Sequence, residues 1–276
     1  MKKIFLIIIL SLGAIYLFTK KATPNYLDLH SKVLEEIPKE KEHEILKIIK
    51  KINENNLKIN NLFVENVSIK LKQKISLNVS GTMAFQRNKN FRMNIFSNFG
   101  KELDIGSNDS HFWFWSKGMN PPTLYYANHD NLKRTLLKNP LNPNWLLESL
   151  TLMELNTENI EIGKFKNLWV ILQKRKGISN ENMTIATLID PINERITGNY
   201  LYNSDGKMVA SSEILGFYDK IPKRIFIIWY EEGITMEWTL NNPQINSKIN
   251  SNLFLIPNIY PKINMGDNSQ TDKKYK

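Results

Sequence analysis

The stretch that decides the fold is GTMAFQRNKNFRMNIFSNFGKELDIGSNDSHFWFW, residues 81–115. Apolar and polar residues alternate within short runs such as FRMNIF and KELDIG, and Asn, Gly and Ser separate the runs. Alternation with a period of two is typical of strands that turn one face toward a core. Connections this short join antiparallel neighbours, because parallel strands need a crossover of a dozen or more residues. The stretch therefore predicts consecutive antiparallel strands.

The same pattern continues on both sides of this stretch. Six candidate strands precede residue 130: LFVENVSIKLK, ISLNVSGTMAFQ, FRMNIF, KELDIG, HFWFW and TLYYAN. Seven follow residue 155, namely IEIGKF, NLWVILQKR, MTIATLID, RITGNYLYN, KMVASSEILGFY, RIFIIWY and ITMEWTL, and NLFLIP is a last short one. About a dozen strands in one sheet must curl. We predict one mainly β domain with helices (α+β), residues 41–258, built on a strongly curved antiparallel sheet.

Helical periodicity occurs at two places. Residues 41–53, KEHEILKIIKKIN, carry isoleucines at helical spacing with charges opposite, which predicts an amphipathic helix with one face on the core. Residues 130–155 interrupt the strands with two short helical patterns, one starting near Asp130 and one near Pro143. Helices inserted in a long meander are expected to cover part of the sheet.

The strand HFWFW is apolar on both faces. Phe112 and Phe114 should point to one side of the sheet, and Trp113 and Trp115 to the other. Two interpretations are open. One pair lies in an ordinary core while the leading helix covers the other, or one pair lines an apolar cavity for a ligand.

The bulk composition limits the function. The 276 residues carry a formal net charge of +10, which favours anionic partners. The lysines of VSIKLKQKISL alternate with apolar residues, as on the wet face of a strand, and no nucleic-acid motif accompanies them. The chain has no cysteine, which excludes a disulfide, a thiolate metal site, a cysteine nucleophile and acylation of an N-terminal cysteine. We expect no nucleic-acid partner.

The N-terminus has the pattern of a signal peptide or signal anchor, residues 1–21. Its apolar run, residues 4–18, would form a helix of about 22 Å against a hydrocarbon core of about 30 Å. Lys20 and Lys21 stand where a cleavage site needs small residues, which favours an uncleaved anchor over a removed signal. Residues 22–40 are expected to be a linker, and residues 259–276 a disordered basic tail.

An enzymatic site is not predicted. A metal or triad site is conceivable only from His111 and His129 with Asp104, Asp109 and Asp130, and their spacing matches no catalytic or metal motif. We therefore predict no catalytic residue, no metal and no cofactor.

The opening stretch resembles the LolA/LolB-like family, the bacterial periplasmic lipoprotein carrier and its outer-membrane receptor. The matching positions are Gly81, Arg87, Asn90, Phe91, Asn108, Asp109, Trp113 and Trp115. Further on, LWVILQKRKG, TIATLIDPINERI and NLFLIPNIY are similar to the later strands of the family and to its closing F-x-x-P strand. The similarity runs from about residue 44 to residue 257.

The resemblance implies an open antiparallel β half-barrel with a helical lid over its concave, apolar face. It implies an exported, membrane-associated, non-enzymatic protein of the cell envelope or periplasm that binds lipid or lipoprotein acyl chains, in lipoprotein trafficking. The alternative is an envelope-anchored sensor or protein-interaction module on the same scaffold. Expected partners are lipid or an acylated protein, the membrane surface and another envelope protein. Because the chain has no cysteine to acylate, we expect residues 4–18 to tether it to the cytoplasmic membrane, with a soluble periplasmic form as the alternative.

The cavity that the resemblance implies has ten candidate lining residues. They are Trp113, Trp115, Met93, Ile95, Tyr125, Trp145, Trp169, Phe226, Ile228 and Trp238. At the position of Arg87, the family arginine reaches the lid and helps to control its opening. Here Asn88 follows where the family usually has Pro, so a solvated arginine at the end of a strand is the alternative for Arg87.

Overall fold

The computed structural model describes residues 35–87, 89–134, 143–178 and 180–266. Within them, the protein is mostly β, with one large, open, curved, almost entirely antiparallel sheet and two α-helices. The helices are α1 (Lys39–Leu57) and α2 (Pro143–Ser149). The strands are β1 (Glu35–Glu36), β2 (Asn61–Lys72), β3 (Ser76–Gln86), β4 (Asn90–Ser97), β5 (Gly100–Ser107), β6 (His111–Ser116), β7 (Leu124–Asn128), β8 (Ile160–Phe165), β9 (Leu168–Lys176), β10 (Asn182–Asp190), β11 (Arg195–Tyr202), β12 (Met208–Tyr218), β13 (Ile221–Trp229), β14 (Ile234–Asn241), β15 (Gln244–Ile245) and β16 (Lys262–Asn264).

The sheet consists of two meanders joined by one long-range pairing. Its order is β1-β8-β9-β10-β11-β12-β13-β14-β2-β3-β4-β5-β6-β7-β16, and β15 pairs with the start of β2. Strand β14 lies antiparallel to β2, with Trp238 opposite Ile69. At the two ends of the sheet, β1 pairs with β8, and β16 runs parallel to β7. The predicted meander is therefore present, but as two runs of consecutive strands. The sequence did not predict that these two runs lie side by side.

Alternation of burial explains why these segments form strands. Ile234, Met236, Trp238 and Leu240 of β14 are buried, and the residues between them are half-exposed. In β2 the buried series passes from Val64 to Val67 across a shift in pairing with β3. This bulge takes up one extra residue, so the apolar side chains stay on one face.

Both helices cover the same face of the sheet, which we call the helix-covered face. Glu40 and Glu42 stand in the first turn of α1, where carboxylates interact favourably with the helix dipole. The isoleucine stripe of α1 packs on β9, β10 and β11 through Ile171, Ile189 and Ile196. Helix α2 packs beside it, on the main core. The leading helix expected at residues 41–53 is confirmed and is longer at both ends.

Three predicted boundaries differ from the structure. The segment NLFLIP does not form a strand: Ser251–Phe254 is a 3₁₀ helix, and the Asn250 side chain accepts a hydrogen bond from the backbone N–H of Asn252 at its start. The expected linker already contains β1 and the first residues of α1, and the expected tail contains β16, whose backbone pairs with β7.

The predicted signal or anchor, residues 1–21, lies outside the described residues. Among residues 35–87, 89–134, 143–178 and 180–266, no helix is both long enough and apolar enough to cross a membrane.

Candidate functional site

The four aromatic residues of β6 divide between two apolar clusters. Phe112 and Phe114 lie on the helix-covered face, in the main core. Trp113 and Trp115 lie on the opposite face, which we call the outer face, in a separate cluster with Leu124. The Trp113 ring lies against Gly106, its partner on β5, at a place where a Cβ atom would come within 2.2 Å of the ring.

The cover on the outer face is the C-terminal strap, residues 250–261. Tyr260 stacks on Trp115 with the ring centroids 4.3 Å apart. Arg92 Nη1 donates a hydrogen bond to the carbonyl oxygen of Leu253 at 2.9 Å, and Asn108 Nδ2 donates to that of Phe254 at 3.0 Å. The strap therefore shields Trp113 and Trp115 from water, rather than α1 as one interpretation expected.

This arrangement corrects the grouping of the ten candidate cavity residues. Met93, Ile95, Trp145 and Trp238 share the main core, and Tyr125 packs against it and stacks on Phe114. Trp169 lies under α1. Trp113 and Trp115 lie on the outer face. Phe226 and Ile228 also lie there, because their neighbours Ile225 and Ile227 in β13 point into the core. The outward pairs cannot line one cavity with the other residues, because side chains alternate along a strand.

The cover of the main core comes from the lid segment, which we define as residues 143–155. Trp145, Leu146, Leu147, Leu150 and Leu152 of this segment are buried in the core. Polar contacts hold the edge of the segment to the sheet. Glu148 forms an ion pair with Arg175 at 2.5 Å, and the carbonyl oxygen of Glu148 accepts a hydrogen bond from Asn199 Nδ2 at 3.0 Å.

Two asparagines of α1 hold the other edge of the lid segment. Asn53 and Leu155 exchange two hydrogen bonds, at 2.9 Å and 2.8 Å. Asn56 Nδ2 donates to the carbonyl oxygens of Thr151 and Met153 at 3.1 Å and 3.0 Å. These contacts could not be predicted from the sequence, because an asparagine between the apolar positions of an amphipathic helix is usually solvated.

Arg87 follows β3 and reaches the same seam between α1 and the lid segment. Its Nη2 atom donates hydrogen bonds to the carbonyl oxygens of Asn56 and, at 3.4 Å, Leu152. Nη1 lies 3.8 Å from a carboxylate oxygen of Glu154. Burial lowers the pKa of Arg87, and the charge of Glu154 partly opposes that effect. Arg87 thus contacts carbonyls on both sides of the seam, while its part in opening the lid stays a prediction.

Two of the histidine and aspartate candidates, His129 and Asp104, have polar partners in the structure. His129 Nε2 lies 2.8 Å from the carbonyl oxygen of Asn108, and burial lowers the pKa of His129. Asp104 is buried under the strap, with Arg92 and Lys101 as ion-pair partners. In the part of the chain that the structure describes, no three or more His, Cys, Asp or Glu side chains are placed to hold a metal ion.

Comparisons with known proteins show the fold alone. No family model matches the chain, and no curated protein matches it. A DUF1329 family protein from Desulfovibrio piger matches with a TM-score of 0.50 and 7% identity, over 76% of this chain and 95% of that one.

Two further solved structures match with TM-scores of 0.49. One is an outer membrane lipoprotein-sorting protein domain from Vibrio parahaemolyticus, at 11% identity over 76% of this chain and 94% of that one. The other is a LolA superfamily protein from Nitrosomonas europaea, at 13% identity over 76% and 97%. The solved structures to which this chain is similar thus include proteins described as LolA superfamily and as lipoprotein-sorting.

Proposed function

We propose that this is an exported, membrane-associated, non-enzymatic protein that binds lipid or lipoprotein acyl chains between its sheet and the lid segment. In this proposal the helix-covered face is the concave face of a half-barrel, and α1 and the lid segment form its lid. Lipoprotein trafficking is the process that such binding would serve. The observation that carries the proposal is the lid segment itself, which has an apolar underside and a rim held by polar contacts.

An acyl chain can replace the lid at little cost in buried apolar surface. The lid segment covers the core with Trp145 and four leucines. A chain that slides under it would take over these contacts, and each methylene it buries contributes about 0.8 kcal/mol. The polar contacts at the rim are with groups that water can also satisfy once they are exposed. When the lid opens, the apolar face of the sheet therefore exchanges its contacts with the lid segment for contacts with the acyl chain.

Two features of the closed lid favour this exchange. Thr151 has a φ angle of 56°, a left-handed conformation that is strained for a β-branched residue and costs about 1–3 kcal/mol. The indole N–H groups of Trp145 and Trp238 are buried without a hydrogen-bond partner among the described residues. A carbonyl oxygen of an acyl ester or amide would accept a hydrogen bond from such a donor. An acylated ligand would thus satisfy groups that the closed protein leaves unpaired.

A locked lid tests the proposal. Asn53→Cys combined with Leu155→Cys places two thiols where the side chain of Asn53 now exchanges two hydrogen bonds with the backbone of Leu155. The chain has no other cysteine. We expect the oxidised protein to take up no palmitoyl lipid from vesicles and the reduced protein to take it up, as measured by native mass spectrometry. The two single-cysteine variants, treated with the same oxidant, are the controls. Equal uptake by the locked and reduced proteins would contradict binding under the lid.

The proposed location is the cytoplasmic membrane, with residues 4–18 retained as an anchor. The proposed spacer, residues 24–38, includes β1, which belongs to the sheet. The net charge of +10 would hold the domain near anionic headgroups, an attraction that salt screens beyond about 10 Å at 0.1 M. Cell fractionation and sequencing of the mature N-terminus test this location. A soluble protein that begins after Ala22 would contradict the tether.

The alternative function is an envelope sensor or protein-interaction module on the same fold. One observation favours it: Leu255 and Ile259 of the strap are 58% and 76% exposed, next to the Trp115 cluster. Purification from membranes distinguishes the two functions. Bound lipid or acylated peptide supports the carrier, and a tight protein partner with no lipid supports the sensor.

A further inference from the structure

A pocket lies at the seam between α1 and the lid segment. Its wall includes Ile52 and Asn55 from α1, Thr151 from the lid segment, Arg195 and Phe217 from the ends of β11 and β12, and Lys220 from the turn between β12 and β13. The apolar floor joins the cluster under α1, to which Ile52 belongs. The pocket therefore combines polar and apolar side chains.

Arg195 is held in the pocket by an aromatic ring rather than by a carboxylate. The guanidinium carbon lies 3.9 Å from the centroid of the Phe217 ring. Its Nε atom is buried without a hydrogen-bond partner, and its ion pair with Asp190 spans 3.9 Å, which is too long for a hydrogen bond. A guanidinium fixed on an aromatic face with unused donors is well suited to bind a carboxylate or a phosphate.

Two further donors of the pocket are unused. Asn55 Nδ2 is buried without a partner. Lys220 lines the pocket and has no hydrogen bond or ion pair with any residue that the structure describes. The remaining charged side chain of the wall is Glu194, whose carboxylate is bound by Lys51 at 2.6 Å. Among the charged side chains that line the pocket, those without a hydrogen bond to a carboxylate are therefore positive, namely Arg195 and Lys220.

We infer that this pocket binds the anionic headgroup, a phosphate or a carboxylate, of the lipid whose acyl chain enters under the lid. The inference rests on the proposed function and adds the headgroup to it. Arg195 and Lys220 would contact the anion, and Asn55 would donate a hydrogen bond to it. The acyl chain of the lipid would extend from the headgroup along Ile52 and then under the lid segment. Thr151 is the part of the lid segment that lies nearest to the pocket.

Photo-cross-linking to the full chain in membranes tests the inference. The full chain is placed in phosphatidylcholine vesicles that contain either a photoreactive lysophosphatidate or the photoreactive monoacylglycerol with the same acyl chain. We expect the lysophosphatidate to be cross-linked about tenfold more, as for hydrogen bonds to a charged group. In the variants Arg195→Gln and Lys220→Gln, the ratio of lysophosphatidate to monoacylglycerol cross-linking should fall toward one. Cross-linking to monoacylglycerol itself should stay unchanged.

The control is Arg224→Gln, which removes the same charge from an ion pair with Glu237 on the outer face and should keep the preference. If the wild type binds both lipids equally, or if Arg195→Gln and Lys220→Gln both keep the preference, the headgroup pocket is wrong and acyl binding stands. If neither lipid is cross-linked, the proposed function fails as well. Binding of inorganic phosphate that Arg195→Gln abolishes, together with equal cross-linking of the two lipids, would show a site for the free anion and overturn the lipid headgroup. Unchanged thermal unfolding of Lys220→Gln verifies that the loss is not a loss of fold.

Discussion

Gly106 shows how one residue determines the position of an aromatic side chain. It stands opposite Trp113 in the pairing of β5 with β6, and a Cβ atom there would lie 2.2 Å from one ring atom and 2.5 Å from another. The Trp113 ring therefore lies flat over the backbone of β5, a position that only glycine permits. Trp113 is fully buried in this way, although it is on the face away from the helices.

Gly106→Ala should lower the free energy of unfolding by about 1–3 kcal/mol, because the added methyl group overpacks a buried site. Urea denaturation followed by circular dichroism measures the change. Gly216→Ala is the matched control: it is also in a strand, and its added Cβ atom would meet only Lys223 Cβ at 3.9 Å. Equal effects of the two substitutions would show that the Trp113 ring does not depend on Gly106.

Tyr200 should make the protein sensitive to alkali. Burial, followed by the nearby charge of Glu213, raises the pKa of Tyr200 far above its ordinary value of 10.0, and the hydroxyl donates to Glu213 at 2.6 Å. Above pH 10 the unfolded chain loses this proton while the folded chain keeps it. The free energy of unfolding should then fall by about 1.4 kcal/mol per pH unit on account of this group.

Tyr200→Phe removes the titrating group. We expect a variant that is less stable at pH 7 by about 1 kcal/mol, since it loses a hydrogen bond, but whose stability falls less steeply above pH 10. Thermal unfolding across this pH range measures both slopes, with Tyr218→Phe, an exposed tyrosine, as the control. Parallel slopes for the wild type and Tyr200→Phe would contradict the raised pKa.

At the scale of elements, the C-terminal strap is the element that the sequence did not reveal. The strands of β2–β7 and β8–β14 could be predicted because most of them alternate with a period of two and short polar connections separate them. In SNLFLIPNIY four apolar residues are consecutive, which is also compatible with a buried strand, yet the chain forms a 3₁₀ turn there. What fixes the strap is long-range: Arg92 and Asn108 bind two of its carbonyls, and Tyr260 stacks on Trp115. A local pattern cannot predict contacts with residues about 150 positions away.

Tyr260→Ala should detach the strap locally and lower the free energy of unfolding by about 1–2 kcal/mol, because it removes a stacked aromatic pair. Tyr260→Phe keeps the ring and should be close to the wild type. Acrylamide quenching of tryptophan fluorescence gives a second measurement, since Trp115 should become accessible in the alanine variant only. Unchanged quenching in Tyr260→Ala would show that the strap shields Trp115 without this ring.

At the scale of the whole molecule, the pairing of β14 with β2 joins the two meanders. Strand β2 also pairs with β3 and, at its start, with β15, so both of its edges are taken. The sequence predicts each meander, because neighbouring strands in the chain pair. It does not predict this joint, because Trp238 and Ile69 are about 170 positions apart in the chain.

Hydrogen exchange should show this joint as the most protected part of the sheet. Strands β14 and β2 are central, and their amides are expected to exchange only by global unfolding. The ends of the sheet, β8 beside the two-residue β1 and β7 beside the three-residue β16, should exchange faster by local opening. Mass spectrometry of peptides from the four strands measures the order. Equal protection at the ends and in the centre would contradict it.

The joint between β2 and β14 also has a consequence for biogenesis. A chain that emerges from the ribosome or a translocation channel presents β2 early, but the strand that completes it begins only at Ile234. During that interval one edge of β2 has no native neighbour, which is the condition under which strands pair with foreign chains. We therefore expect the nascent protein to depend on a holding chaperone until β14 has been delivered.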